Sequence, residues 1–190
     1  MIRRLPSLLF AFSLCLAYWG CGDPAAKLPI YDTVPHFVLT DSYGKPFDSS
    51  ALKGKVWVAD FIYTHCPGPC PRMTSQMHQI ERKVNGDASV RFISFSVDPA
   101  RDTPPVLQEF AQRFGGPTDR WSFLTGAPDT LHLLARNVFK VGDLISVMDH
   151  STKFMLVDKQ GRIRGYYSTF DAEGISALVE DAKALERSRA

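Results

Sequence analysis

The sequence is short of net charge, of long apolar runs and of cysteine, and each shortage narrows what the chain can be. Its 22 Lys and Arg stand against 20 Asp and Glu, and two of the basic residues, Arg3 and Arg4, lie in an N-terminal segment not expected to join the fold. The remainder is balanced and holds no Lys/Arg run, so the counterion-release term behind nucleic-acid binding is missing and no nucleic-acid partner is expected. The longest apolar run, "LPSLLFAFSLCLAYWG" at 5–20, falls short of the roughly 20 residues of a spanning helix. No internal repeat or low-complexity tract occurs, and no proline follows Pro128. Of the four cysteines, Cys15 and Cys21 belong to the N-terminal segment, which leaves Cys66 and Cys70 as the only thiols in the body of the chain. With 190 residues, 45% of them hydrophobic, there is enough chain for one packed domain.

The N-terminus reads as a targeting segment over residues 1–21. "MIRR" is a positive start, and the apolar stretch after it is a signal-peptide core. Gly20 precedes Cys21, which resembles the bacterial lipoprotein signal, where a Cys after a small residue is acylated. Tyr18 and Trp19 depart from that signal. Lipidation at Cys21, an uncleaved anchor and plain secretion therefore all stay open. Each puts the domain outside the cytoplasm, in the first two cases held at the cell membrane and facing the periplasm or outer side. Residues 22–34 are expected to be a linker, and 35–190 the folded domain.

Along that domain, "HFVLTDSYGKPFDSSALKGK" alternates around Tyr43-Gly44 as a hairpin does. "VWVADFIY" (56–63) is apolar and β-prone enough for a buried central strand. Helical periodicity follows through Met73, Met77, Ile80 and Val84, then a second buried strand, "VRFISFSVD". Thr103 is a candidate N-cap for a helix that ends on Gly115. A strand at "WSFLTG", a helix at "APDTLHLLARNVF", two strands joined at Gln160-Gly161 and a final amphipathic helix complete the order. Two parallel β-α-β units, then an antiparallel hairpin and a helix, give an α/β class: a thioredoxin-like central mixed sheet flanked by helices, with an N-terminal β-hairpin added.

Cys66 and Cys70 sit where the central strand turns into a helix, whose positive end favours a thiolate at Cys66. With Cys70 helical, the four-residue spacing puts both sulfurs on one face, near enough for a disulfide or a shared metal ion. Pro67, Pro69 and Pro71 stiffen that loop. A structural disulfide is the plainest reading, although so short a loop removes little chain entropy. A redox pair of the thioredoxin type is the sharper rival, but it carries two intervening residues and a cis-proline on the facing loop. Here "MDHSTKF" stands before the corresponding strand, with His150 in the proline's place. Two thiolates and an imidazole suit Cu(I) and, on ligand type, zinc. An open three-ligand site beside a redox-active dithiol outside the cytoplasm favours copper, so Cys66, Cys70 and His150 form the candidate copper site. Asp149 is a candidate to orient His150 or add an oxygen ligand, with a solvated loop acid as the alternative. Asp98 reads as a turn cap, Met73 and Met77 as core, and His65 as pointing away. His36, His78 and His132 receive no role.

Taken together, "THCPGPCP", "SVDPARDTP", "RWSFLTG" and "DHS", in this order from about Pro35 onward, resemble the Sco/SenC family of copper chaperones for cytochrome c oxidase assembly. The resemblance implies a site binding Cu(I) or Cu(II) through Cys66, Cys70 and His150, with Cys66 and Cys70 also cycling between dithiol and disulfide. It implies membrane attachment and, as partner, the CuA domain of oxidase subunit II, to be loaded with copper or kept reduced. The CuA domain itself is excluded, because its cysteine pair comes late in a β-sandwich and is followed by His and Met. A metallochaperone, a thiol-disulfide oxidoreductase and a redox or copper sensor are the functions left to separate.

Overall fold

A computed structural model describes residues 27–84, 90–141 and 152–188. Eight strands form one mixed sheet, in chain order β1 (Asp32–Thr33), β2 (Val38–Asp41), β3 (Pro46–Asp48), β4 (Trp57–Ile62), β5 (Arg91–Ser96), β6 (Trp121–Thr125), β7 (Lys153–Val157) and β8 (Arg162–Ser168). Helices α1 (Pro69–Lys83), α2 (Pro104–Gln112), α3 (Pro128–His132) and α4 (Ala172–Arg187) connect or close them. Across the sheet the order is β1-β8-β7-β4-β5-β6-β2-β3. β4, β5 and β6 run parallel, and β7 and β8 return antiparallel beside β4. The expected α/β mixed sheet is present, with the β2–β3 hairpin added at the β6 edge and turned at Gly44, whose φ of 76° favours glycine.

β4 is buried at every position and so serves both faces of the sheet. Val58 and Ile62 join one core with α1, α2 and α4, through Met73, Met77, Ile80, Leu107, Phe110, Leu178 and Leu185. Trp57, Ala59 and Phe61 join the other, with α3, the β2 strand and β7, where Phe61 and Phe95 stack at 5.0 Å beside Phe139. Met73 and Met77 are fully buried core residues, as their spacing indicates. The helix expected at "APDTLHLLARNVF" begins as α3 and continues over Leu133–Val138 in wider π-helical winding, closed by the Phe139 N–H on the Leu134 carbonyl.

Two expectations change. Thr103 does sit at the N-cap of α2, but its side chain makes no capping bond. Pro104 and Pro105 have no N–H in that first turn, which reduces the donors such a cap would satisfy. Within the expected linker 22–34, the described part is tied to the fold. Asp32–Thr33 pair with β8, Tyr31 donates to the Ile163 carbonyl at 2.9 Å, and Leu28 packs on the α1–α4 core.

The tie is charged. Buried Arg164 donates from Nε to the Pro29 carbonyl (2.9 Å), from Nη2 to the Leu28 carbonyl (2.7 Å) and from Nη1 to Asp158 Oδ2 (2.9 Å). Burial acts to raise the Asp158 pKa, but the Arg162 N–H and the Arg164 and Arg162 guanidiniums hold it below the usual carboxylate value. Arg164→Met is therefore expected to cost roughly 2–4 kcal/mol in urea unfolding. It should also speed hydrogen exchange at the Tyr31 amide, while β4 and β5 amides stay protected.

Candidate metal and redox centre

The centre is built where β4 meets α1. After Ile62 the chain turns at Tyr63, whose carbonyl accepts the Cys66 N–H at 3.3 Å. α1 starts at Pro69, and Gly68 offers no side chain to cap it. The sulfur of Cys66 takes that place, accepting the Cys70 N–H at 3.4 Å and the Gly68 N–H as well. Cys70 lies in the first turn, and Thr74 Oγ1 donates to its carbonyl at 2.8 Å. Neither cysteine is in a disulfide, and Cys66 has 7% of its surface exposed and Cys70 none. They are close enough to hydrogen-bond each other.

Their acidities are pushed apart. Burial works to raise the Cys66 pKa, but the Cys70 and Gly68 N–H groups, the Cys70 thiol and the Tyr63 hydroxyl outweigh it, and the net shift is downward. For Cys70 burial dominates, reinforced by the Cys66 sulfur and the Asp60 charge, and its pKa rises strongly. The Tyr63 hydroxyl is pushed up to about 12 by burial, its bond to Cys66 and the surrounding negative charges. The pair thus holds one sulfur that gives up its proton more readily than an ordinary thiol and one that holds it more tightly.

Two acids flank this pair in opposite conditions. Asp60, on the sheet face shared with Val58 and Ile62, is fully buried, and neither carboxyl oxygen has a hydrogen-bond partner among the described residues. Burial pushes its pKa up to about 7, with neighbouring Ser94 pulling slightly the other way. Asp102 is equally buried but saturated: Thr64 Oγ1 and Ser96 Oγ each donate to it at 2.6 Å, and the Thr64 N–H adds a longer bond.

Of the residues singled out in the sequence, Cys66 and Cys70 are brought together. His150, Asp149 and Cys21 lie outside the described residues, so the expected third ligand, its candidate helper and the candidate lipidation site are not placed. Asp98 opens the turn, its carbonyl accepting the Arg101 and Asp102 N–H groups and its carboxylate pairing with the Arg101 guanidinium. His65 is exposed and bonds through Nδ1 to Thr64 Oγ1 at 2.9 Å. Exposed His36 pairs with Asp48, and His78 stacks on Trp121. No cluster of three His, Cys, Asp or Glu residues able to hold a metal occurs among the described residues, and no helix there is long and apolar enough to cross a membrane. Two adjacent soft sulfurs, one already thiolate-prone, nonetheless fit copper as a ligand pair.

Sequence reasoning missed Asp60, Tyr63, Thr64 and Asp102. Only Asp60 carried a signal, as a lone acid inside a continuous apolar strand. Its folded pKa lies above its unfolded value of 3.8, so the folded state binds the extra proton and stability falls as pH rises from about 4 to 7. Asp60→Asn is expected to flatten that fall and to gain roughly 4 kcal/mol relative to the parent at pH 8, read by denaturant unfolding at both pH values. Alkylation of the reduced protein near neutral pH is expected to label Cys66 well before Cys70, as peptide mass analysis would show.

The SCO1/SenC family model matches residues 26–185. A SCO1 protein homolog of Bacillus subtilis (strain 168) is 34% identical over 97% of this chain and 96% of its own length. Three solved structures share the fold. A SCO1/SenC family lipoprotein from Bacillus anthracis is 34% identical with a TM-score of 0.73, covering 81% of this chain and 95% of that one. BsSco, described with a disulfide switch and as a member of the Sco family of cytochrome c oxidase assembly proteins, is 32% identical with a TM-score of 0.75, over 85% and 97% of the chains. Copper-bound ScoI of Bradyrhizobium japonicum is 27% identical with a TM-score of 0.63, over 80% and 98%. The thioredoxin-like arrangement of the sheet, the thiol pair opening α1 and a match running through nearly the whole described chain agree: this protein belongs to the SCO1/SenC family.

Proposed function

We propose that this chain is a copper-binding metallochaperone that helps to assemble the CuA centre of cytochrome c oxidase, taking the metal through the thiolates of Cys66 and Cys70 and the imidazole of His150. The observation that carries this reading is the pair of adjacent, buried thiols, not joined in a disulfide, whose proton affinities are split by the N–H groups of the helix start at Cys66 and by burial at Cys70. Copper is here the cargo. A soft two-sulfur site holds it, and Cys66 gives up its proton for the metal more readily than Cys70 does. Loading is therefore coupled to proton release and strengthens with pH. The domain is tethered through residues 1–21, with acylation at Cys21 as the attachment, on the outer side of the cell membrane, where the CuA domain of subunit II is the recipient. The lipoprotein relative supports that tether.

A second reading rests on the same acidity split. As a thiol-disulfide oxidoreductase, the Cys66 thiolate attacks one sulfur of the recipient's disulfide, and the other sulfur leaves as thiolate. Cys70 then gives up its proton and attacks Cys66, releasing the recipient's second thiol and leaving a Cys66–Cys70 disulfide. Two electrons pass to the recipient in all, and the disulfide switch described for BsSco favours weighing this route.

Copper titration of the full-length reduced protein in mild detergent separates the two. The chaperone reading expects one copper per chain and thiolate-to-Cu(II) absorption that weakens in His150→Ala, with affinity lower by roughly tenfold or more. Copper binding unchanged in His150→Ala, together with rapid reduction of an oxidised CuA peptide, would overturn it in favour of the oxidoreductase.

A further inference from the structure

The ladder between β4 and β5 ends at the Ile62–Ser96 pair, sealed by the Val97 N–H on the Ile62 carbonyl at 2.8 Å. Beyond it the two chains have different destinations: one leads through Thr64 and His65 to Cys66, the other through Asp98 to α2. Asp102 spans the gap. Its carboxylate accepts the Thr64 hydroxyl on Oδ1 and the Ser96 hydroxyl on Oδ2, both at 2.6 Å, and the Thr64 N–H at 3.2 Å to Oδ1 and 3.3 Å to Oδ2. Asp102 is itself anchored from behind, its N–H on the Asp98 carbonyl at 2.8 Å, and Ser96 Oγ in turn accepts the Asp98 N–H at 3.1 Å.

Every hydrogen in this network has one place to go. A carboxylate only accepts, so both hydroxyls are spent as donors on Asp102. The Thr64 oxygen is then left to accept from His65 Nδ1, 2.9 Å away. Short bonds to a carboxylate are the strong ones, and this set is buried, where each lost partner is felt in full.

We propose that Asp102 is the positioning residue of the dithiol site: through Thr64 it holds the loop that carries Cys66 in the place where the α1 N-terminus meets the Cys66 sulfur. This assigns a purpose to the second half of "SVDPARDTP", more than thirty residues from the thiols in sequence. It touches neither sulfur and acts wholly through Thr64. It rests on the reading of Cys66 and Cys70 as the working pair, and it holds for copper and for disulfide chemistry alike. A loop freed from the clamp loses the fixed approach of the Cys70 and Gly68 N–H groups to Cys66. That loss weakens the reduced form and leaves the disulfide form less affected.

The test is the exchange of the full-length chain with glutathione, in which dithiol plus glutathione disulfide gives protein disulfide plus two glutathione thiols. Thr64→Val keeps the side-chain shape and removes the hydroxyl, Asp102→Asn keeps the volume and removes one acceptor, and Thr64→Ser restores the donor. Thr64→Val and Asp102→Asn are each expected to move the equilibrium roughly tenfold towards disulfide, the double variant no further than the larger single one, and Thr64→Ser to stay within about twofold of the parent. If Asp102→Asn fails to fold, Thr64→Val with its Ser rescue decides alone. Variants that melt earlier yet exchange as the parent does would show a merely structural carboxylate and overturn the proposal. A parent protein that does not exchange with glutathione at all would instead overturn the working-pair reading, and the clamp with it.

Discussion

The parallel ladder between β4 and β5 is the constraint on which the rest depends, because it brings two chain segments with different chemistry to a common end. Both strands are buried almost throughout, so their register is set by apolar packing on two faces and a one-residue slip would exchange those faces. That register puts Ile62 opposite Ser96 and leaves the next residues of each strand to diverge at the carboxyl end of the sheet. In open α/β sheets this is where sites form. Here one segment supplies the thiols and the other the carboxylate that steadies them.

The site then works by unequal environments for like groups. The two cysteines differ by one helical turn, yet Cys66 caps the free N–H groups of α1 while Cys70 sits inside the core. The two aspartates differ in the same way. Asp102 has a donor for each oxygen, whereas Asp60 is dominated by burial, with only Ser94 pulling the other way. Asp60 adds its field to the desolvation of Cys70, so the proton affinity of the pair is concentrated on the inner sulfur. The slight opening left at Cys66 and the complete burial of Cys70 follow from the same helix start.

How much of this could be read beforehand follows the range of the interactions. The central strands, the hairpin at Gly44 and the helix through Met73 and Met77 were legible because periodicity and turn chemistry are local. So was the cysteine pair, whose setting is a strand-to-helix junction. Strand β1 was not, since Asp32 and Thr33 carry no β pattern and are strands only because β8 offers them an edge. Arg164, which ties Leu28 and Pro29 down from far along the chain, gave no sequence signal at all. Asp102 and its partner Thr64 stand 38 residues apart and carried no signal of their own. Only the β4–β5 register makes them neighbours.

That dependence on register also orders the costs of change around the site. Substitutions at Cys66 or Cys70 remove the chemistry outright and say little about how it is held. Asp60 pulls against stability at neutral pH, because an unpartnered buried acid must stay protonated or bear the desolvation of its charge. Asp102 pulls the other way, satisfying donors that would otherwise be buried unpaired. A fold that keeps both accepts the strain of the first behind Cys70 and uses the second to fix Cys66. The division of acidity between the two sulfurs is therefore a property of the whole sheet end and not of the cysteine motif alone.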